Sequence, residues 1–244
     1  MRRLALLLVV LLLAGTPFPA SGAEGEMQQK GAAEAGMMLH HLHIMMNHGI
    51  TMVTEGSNLV MIAGMKMTRY LDRPTKMHGQ TMVAKGTKII QRSLGGSEIK
   101  ELMKGELADS PLMQYTQALG NAMLDVIAQL GKMDIEHMSS ARSMSMHHMH
   151  IALNHALQMA TQGASLIMLG KMGMAGEVDE FSLDHGRAMV SDARALFTET
   201  MDGEEMKFLR GMGATPENST LMKLTYDLAD AISKVISLLE RMPG

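Results

Sequence analysis

The sequence predicts an all-α protein: two tandem up-and-down four-helix units, each with three long helices and one short one, related by internal duplication. Three observations predict it. Apolar residues recur at helical spacing, no stretch alternates with period two for long enough to make a strand, and a unit of about a hundred residues occurs twice.

The duplication comes first because it organises the rest. Residues 38–67 read MLHHLHIMMNHGITMVTEGSNLVMIAGMKM and residues 145–174 read SMHHMHIALNHALQMATQGASLIMLGKMGM, identical at thirteen of thirty positions with an offset of 107. The register continues through Asp72/Asp179, His78/His185, Gly79/Gly186, Met82/Met189 and Val83/Val190. A two-residue insertion then shifts it, so that Leu112-Met113 matches Leu221-Met222 and Val126-Ile127 matches Val235-Ile236. This gives a first repeat over residues 37–133, a linker over 134–144 and a second repeat over 145–242. A side chain kept in both copies is the better candidate for a role.

Within each copy the elements follow from local signals. Ser110-Pro111 is an N-cap with proline at the first helical position. Leu112, Tyr115, Leu119, Met123, Val126 and Leu130 then form an apolar stripe, closed by Gly131. Thr215-Pro216 predicts the same start for the last helix, whose stripe is Leu221, Leu224, Leu228, Ile232, Val235 and Leu239. Ahead of Ser110 the pattern predicts a long helix near 36–67, a second near 73–93 and a short one near 97–106. Gly49, Gly56 and Gly64 inside the first helix are each unfavourable by up to about 1 kcal/mol, which points to close helix packing.

Residues 1–23 are read apart from the fold. Arg2 and Arg3 precede an apolar run, Leu4 to Ala14, that is too short to span a bilayer; Pro17 and Pro19 break it, and Ser21-Gly22-Ala23 supplies a small-residue cleavage site. The expectation is a cleaved export signal and a periplasmic or secreted protein, followed by a flexible segment over 24–36. No later stretch is apolar enough to cross a membrane.

Composition narrows the chemistry. The 244 residues hold no Cys and no Trp, but 30 Met and 11 His. Without cysteine there is no disulfide, zinc–thiolate, iron–sulfur or thiol chemistry. The formal charge of −3, with 4 Phe and 3 Tyr, argues against a nucleic-acid surface. No Gly-x-Ser-x-Gly elbow, no His-Glu-x-x-His motif and no phosphate-cradling loop occurs, so the chain is read as a binding protein and not as an enzyme.

On a helical wheel the first long helix carries two donor stripes flanking a core strip of Leu39, Leu42, Met46, Ile50, Val53 and Val60. One stripe holds His41, Met45, His48 and Met52; the other holds His40, His43, Asn47, Met61 and Met65. Donors three or four residues apart share a face within reach of one ion. His40/His43, His48/Met52 and His78/Met82 are such pairs, and they recur as His147/His150, His155/Met159 and His185/Met189. His41 recurs as His148, whereas Met45 becomes Ala152. In an antiparallel hairpin His78 would stand level with Met61 and Met82 level with Asn58. Met61, Met65, His78 and Met82 would then converge as one site, and Met168, Met172, His185 and Met189 as its counterpart. The HHxH clusters would lie at the other end of the bundle.

Imidazole with thioether is a soft-to-borderline donor set, suited to Cu(I), while imidazole alone also suits Cu(II), Zn(II) or Ni(II). The composition resembles that of Met/His-rich periplasmic copper-binding proteins, which implies copper buffering, tolerance or delivery, with metal ions and a metal-exchange protein as partners. The alternatives are an electron carrier holding non-covalent haem b between helices through His/Met ligands, and a helical scaffold or methionine oxidant sink without metal.

Overall fold

The computed structural model describes residues 21–105, 108–132, 141–173 and 176–242, with side chains from residue 34 in the first stretch and from 144 in the third. The expected signal at 1–23 lies outside the described residues except for 21–23, as does most of the 134–144 linker. Contacts divide the chain into residues 1–34 and 35–244.

All described elements are helical. They are α1 (Ser21–Gly64), α2 (Asp72–Gly95), α3 (Ser97–Leu102), α4 (Pro111–Leu130), α5 (Ala141–Lys171), α6 (Asp179–Asp202), α7 (Glu204–Gly211) and α8 (Thr220–Glu240), with 3-10 turns at Arg69–Leu71 and Gly176–Val178. The order long, long, short, long runs twice along the chain. Among the described residues no helix is long and apolar enough to cross a membrane.

Two local expectations need correction. Residues 24–36 are not a separate flexible segment but the first turns of α1. Nine of the thirteen are Ala, Glu, Gln or Met, strong helix formers, which outweigh three Gly. The last helix also starts later than Thr215-Pro216. The Asn218 side chain accepts from the Thr215 N–H at 2.9 Å and donates to the Gly213 carbonyl at 2.7 Å, folding these residues into a capped turn. Ser219 then serves as N-cap, accepting from Met222 N–H. Ser110 caps α4 in the same way through Met113.

Glycines set the register of the long hairpins. A β-carbon on Gly49, Gly56, Gly79 or Gly86 would lie 2.4–2.9 Å from the carbonyl oxygen of the glycine facing it, so α1 and α2 touch backbone to backbone at Gly49/Gly86 and Gly56/Gly79. Gly163 and Gly186 do the same between α5 and α6, at 2.6 Å. The turns differ in one respect. After α1 the chain passes through left-handed φ at Lys66 and Arg69, whereas after α5 the equivalent positions are Gly173 and Gly176, where that conformation carries no Cβ penalty.

The halves do not have separate cores. One apolar cluster takes Met46, Ile50 and Val53 from α1, Leu119, Met123 and Val126 from α4, Leu153 and Leu157 from α5, and Leu228, Ile232 and Val235 from α8. Two satellites sit beneath the short helices: Leu39, Leu42 and Met113 with Ile99 and Leu102 of α3, and Met146, Met149 and Met222 with Met206 and Leu209 of α7. Most buried methionines are therefore packing material, as expected of a flexible apolar side chain.

Candidate metal site

Helices α1 and α5 meet along a polar seam. Asn47 donates to the Thr161 carbonyl at 2.8 Å and to the Ser165 hydroxyl; Asn154 donates to Asn58 Oδ1 at 2.7 Å, and Gln158 to Thr54 Oγ1 at 2.6 Å. The side-chain pairs 47/165, 54/158 and 58/154 have residue numbers with the same total, so the helices run antiparallel in one continuous register. The stripe His40, His43, Asn47, Met61, Met65 faces into this seam and the core beside it; in the other stripe His41 and His48 are exposed, Met45 is half-buried and Met52 packs towards α2.

The imidazoles divide into three environments. His43 Nε2 lies 2.9 Å from Thr116 Oγ1, and His150 Nε2 lies 2.9 Å from Thr225 Oγ1. Each threonine hydroxyl gives its proton to the carbonyl four residues back, Leu112 or Leu221, so it must accept from the imidazole, which carries its proton on Nε2. His43 also stacks on Tyr115, centroids 5.9 Å apart. Burial, with a smaller effect from His40 or His147, pushes both His43 and His150 down to about 4. These two are neutral at pH 7 and bonded into the core.

His41 and His148 are exposed. Each holds a carboxylate on the short helix over it, with Nδ1 at 3.0 Å from Glu98 on α3 or from Glu205 on α7. Such a surface pair contributes at most about 1 kcal/mol. The third environment is that of His40 and His147. They are only 9% and 5% exposed, yet the Nδ1 of each is buried without a hydrogen-bond partner. Burial lowers the pKa of both, and the neighbouring His41 or His148 adds to this. A buried lone pair or N–H left unmade costs on the order of 1–3 kcal/mol, so its appearance at both equivalent positions calls for an explanation.

Met61 and Met168 are buried at 2% and 4% exposure, and Met65 and Met172 are half-buried. His78 and His185 are exposed. The expected convergence of Met61 and Met65 with His78 and Met82 is not what the fold builds, nor is its counterpart. The glycine contacts shift the α1–α2 register by about one turn, placing His78 level with Ser57 and the Met82 Cβ beside Gly56. Met52 and Met82 come level instead, as do Met159 and Met189, with the exposed His48 and His155 one turn away. His185 stacks on Phe181, centroids 5.5 Å apart. Among the described residues no three His, Asp or Glu side chains come together in a way that would hold a metal, so neither HHxH cluster converges on one ion.

No family model, curated protein or solved structure matches this chain. Its site is read from geometry alone.

Sequence reasoning missed the partners Thr116, Thr225, Glu98 and Glu205. The signal was present: His41, His43 and Glu98 recur at an offset of 107, and Thr116 recurs at 109, after the two-residue insertion. Replacing Thr116 by valine leaves His43 Nε2–H buried without an acceptor, and a loss of about 1–3 kcal/mol in urea unfolding is expected. An unchanged midpoint would show that the threonine does not hold the ring.

Proposed function

We propose that this chain is an exported, internally duplicated helical protein that binds soft metal ions, copper(I) foremost, and serves in copper buffering, tolerance or delivery without catalysing a reaction. The observation that carries the reading is the pair of buried imidazoles, His40 and His147, whose Nδ1 atoms have no hydrogen-bond partner among the described residues. Both stand in a chain with 30 Met and no Cys, where the soft donors on offer are thioethers. The duplication is supported by the recurrence of the same bonds at the repeat offset, His43–Thr116 with His150–Thr225 and His41–Glu98 with His148–Glu205. The seam between α1 and α5 is filled by hydrogen-bonded Asn, Gln, Thr and Ser, which favours an ion over a haem-sized ligand.

The test is competition for Cu(I) between the chain from residue 24 onward and a chelator of known affinity, with Zn(II) run in parallel. Binding of Cu(I) at micromolar or tighter affinity, with Zn(II) weaker, is expected. Failure to bind Cu(I) more tightly than millimolar would overturn the reading.

A further inference from the structure

The α1–α5 register has a consequence at its two ends. The pairs 40/172 and 65/147 have the same total as the three hydrogen-bonded side-chain pairs of the seam, so His40 stands opposite Met172 and Met65 opposite His147. The contact at Gly36 supports the first placement, because a β-carbon there would lie 3.7 Å from Met172 Cε, one turn before His40 on the same face. Met168 precedes Met172 by one turn on the face of α5 that meets α1, and Met61 precedes Met65 likewise on α1.

We propose that the seam holds two equivalent metal sites, each composite: His40 of α1 with Met168 of α5 and Met172 just past its end, and His147 of α5 with Met61 of α1 and Met65 just past its end. This deepens the copper reading and rests on it. Each site offers one imidazole nitrogen and two thioether sulfurs, a set that satisfies two- or three-coordinate Cu(I) or Ag(I) and leaves out the hard oxygen ligands other ions require. Charge points the same way. With neutral ligands a monovalent ion leaves one positive charge beside largely buried imidazoles, whereas Zn(II) leaves two, and burying uncompensated charge is costly. The ligand sets cross between the halves of the chain. Each ion therefore ties the HHxH segment of one long helix to the C-terminal end of the other.

The experiment uses the chain from residue 24 onward with Ag(I), a redox-inert probe of the same softness, and counts bound ions by native mass spectrometry alongside a competition titration. Two tight ions are expected for the wild type, one for Met65→Leu or Met172→Leu, and none of this class for the double variant, with each affected site weakened at least tenfold. Leucine keeps the apolar volume and removes only the sulfur. As a check that does not depend on variants, the methionine methyl NMR signals of Met61, Met65, Met168 and Met172 should move together on Ag(I) addition. Two tight ions retained by the double variant, or methyl shifts confined to Met52, Met82, Met159 and Met189, would overturn the composite sites while leaving metal binding standing. A wild type that binds neither Ag(I) nor Cu(I) would remove both.

Discussion

Moving the metal-free protein from pH 7.5 to pH 4.5 is expected to lower its unfolding free energy by about 5 kcal/mol, the combined effect of His43 and His150. Each ring is held down to about 4 in the fold by burial and titrates near 6.5 in the unfolded chain. Between those values the unfolded state binds the proton and the folded state does not. Their stabilising contribution is therefore complete above the unfolded value and declines as pH falls toward 4. At pH 4.5 the difference is about 2–3 kcal/mol per ring. That is a large share of the 5–15 kcal/mol typical of a domain. Urea unfolding at both pH values measures it. His43→Gln with His150→Gln should be weaker at pH 7.5 but flatter with pH, because glutamine does not titrate. Wild-type midpoints that coincide at the two pH values would mean that these rings are not held neutral.

The second large effect is expected at the glycine contacts. Gly56→Val should lower stability by about 3 kcal/mol or more, at the upper end for overpacking. Its Cβ would stand 2.6 Å from the Gly79 carbonyl oxygen and 2.9 Å from Val83 N, backbone atoms that no rotamer change can move aside. The gain in helix propensity, under 1 kcal/mol, cannot offset this. Gly95→Ala is the control. No atom lies within 4 Å of a Cβ there, so the same kind of change should leave stability unchanged or raise it by up to about 1 kcal/mol. Equal losses at both positions would mean that α1 and α2 do not meet through glycine.

Helices with strong local signals were legible before any coordinates. The cap at Ser110, the stripe from Leu112 to Leu130 and the breaks around residues 65–71 depend on neighbours in sequence. The start of α8 was misplaced for the same kind of reason. Thr215-Pro216 and Ser219 both resemble a helix start, and only the Asn218 side chain, bonded back to Gly213 and Thr215, decides between them. The site was legible as a stripe but not as a site. Helical period alone grouped His40, His43, Asn47, Met61 and Met65. Asn47 meets α5, more than a hundred residues away, His43 meets Thr116 of α4, and no local rule reports either contact. The α1–α2 hairpin was misjudged by about a turn because its alignment was inferred from the connecting loop, whereas the Gly49/Gly86 and Gly56/Gly79 approaches determine it.

The common apolar cluster and the seam across it bear on how this chain reaches its native state. Each long hairpin can zip up from contacts close in sequence, but it leaves an apolar face that α4, α8 and the other hairpin cover together. Meeting of the preformed halves is thus the late, slow event, dominated by closure of a loop of about a hundred residues. Two halves made separately, one ending at Lys132 and the other beginning at Ala141, are expected to recognise one another through that face.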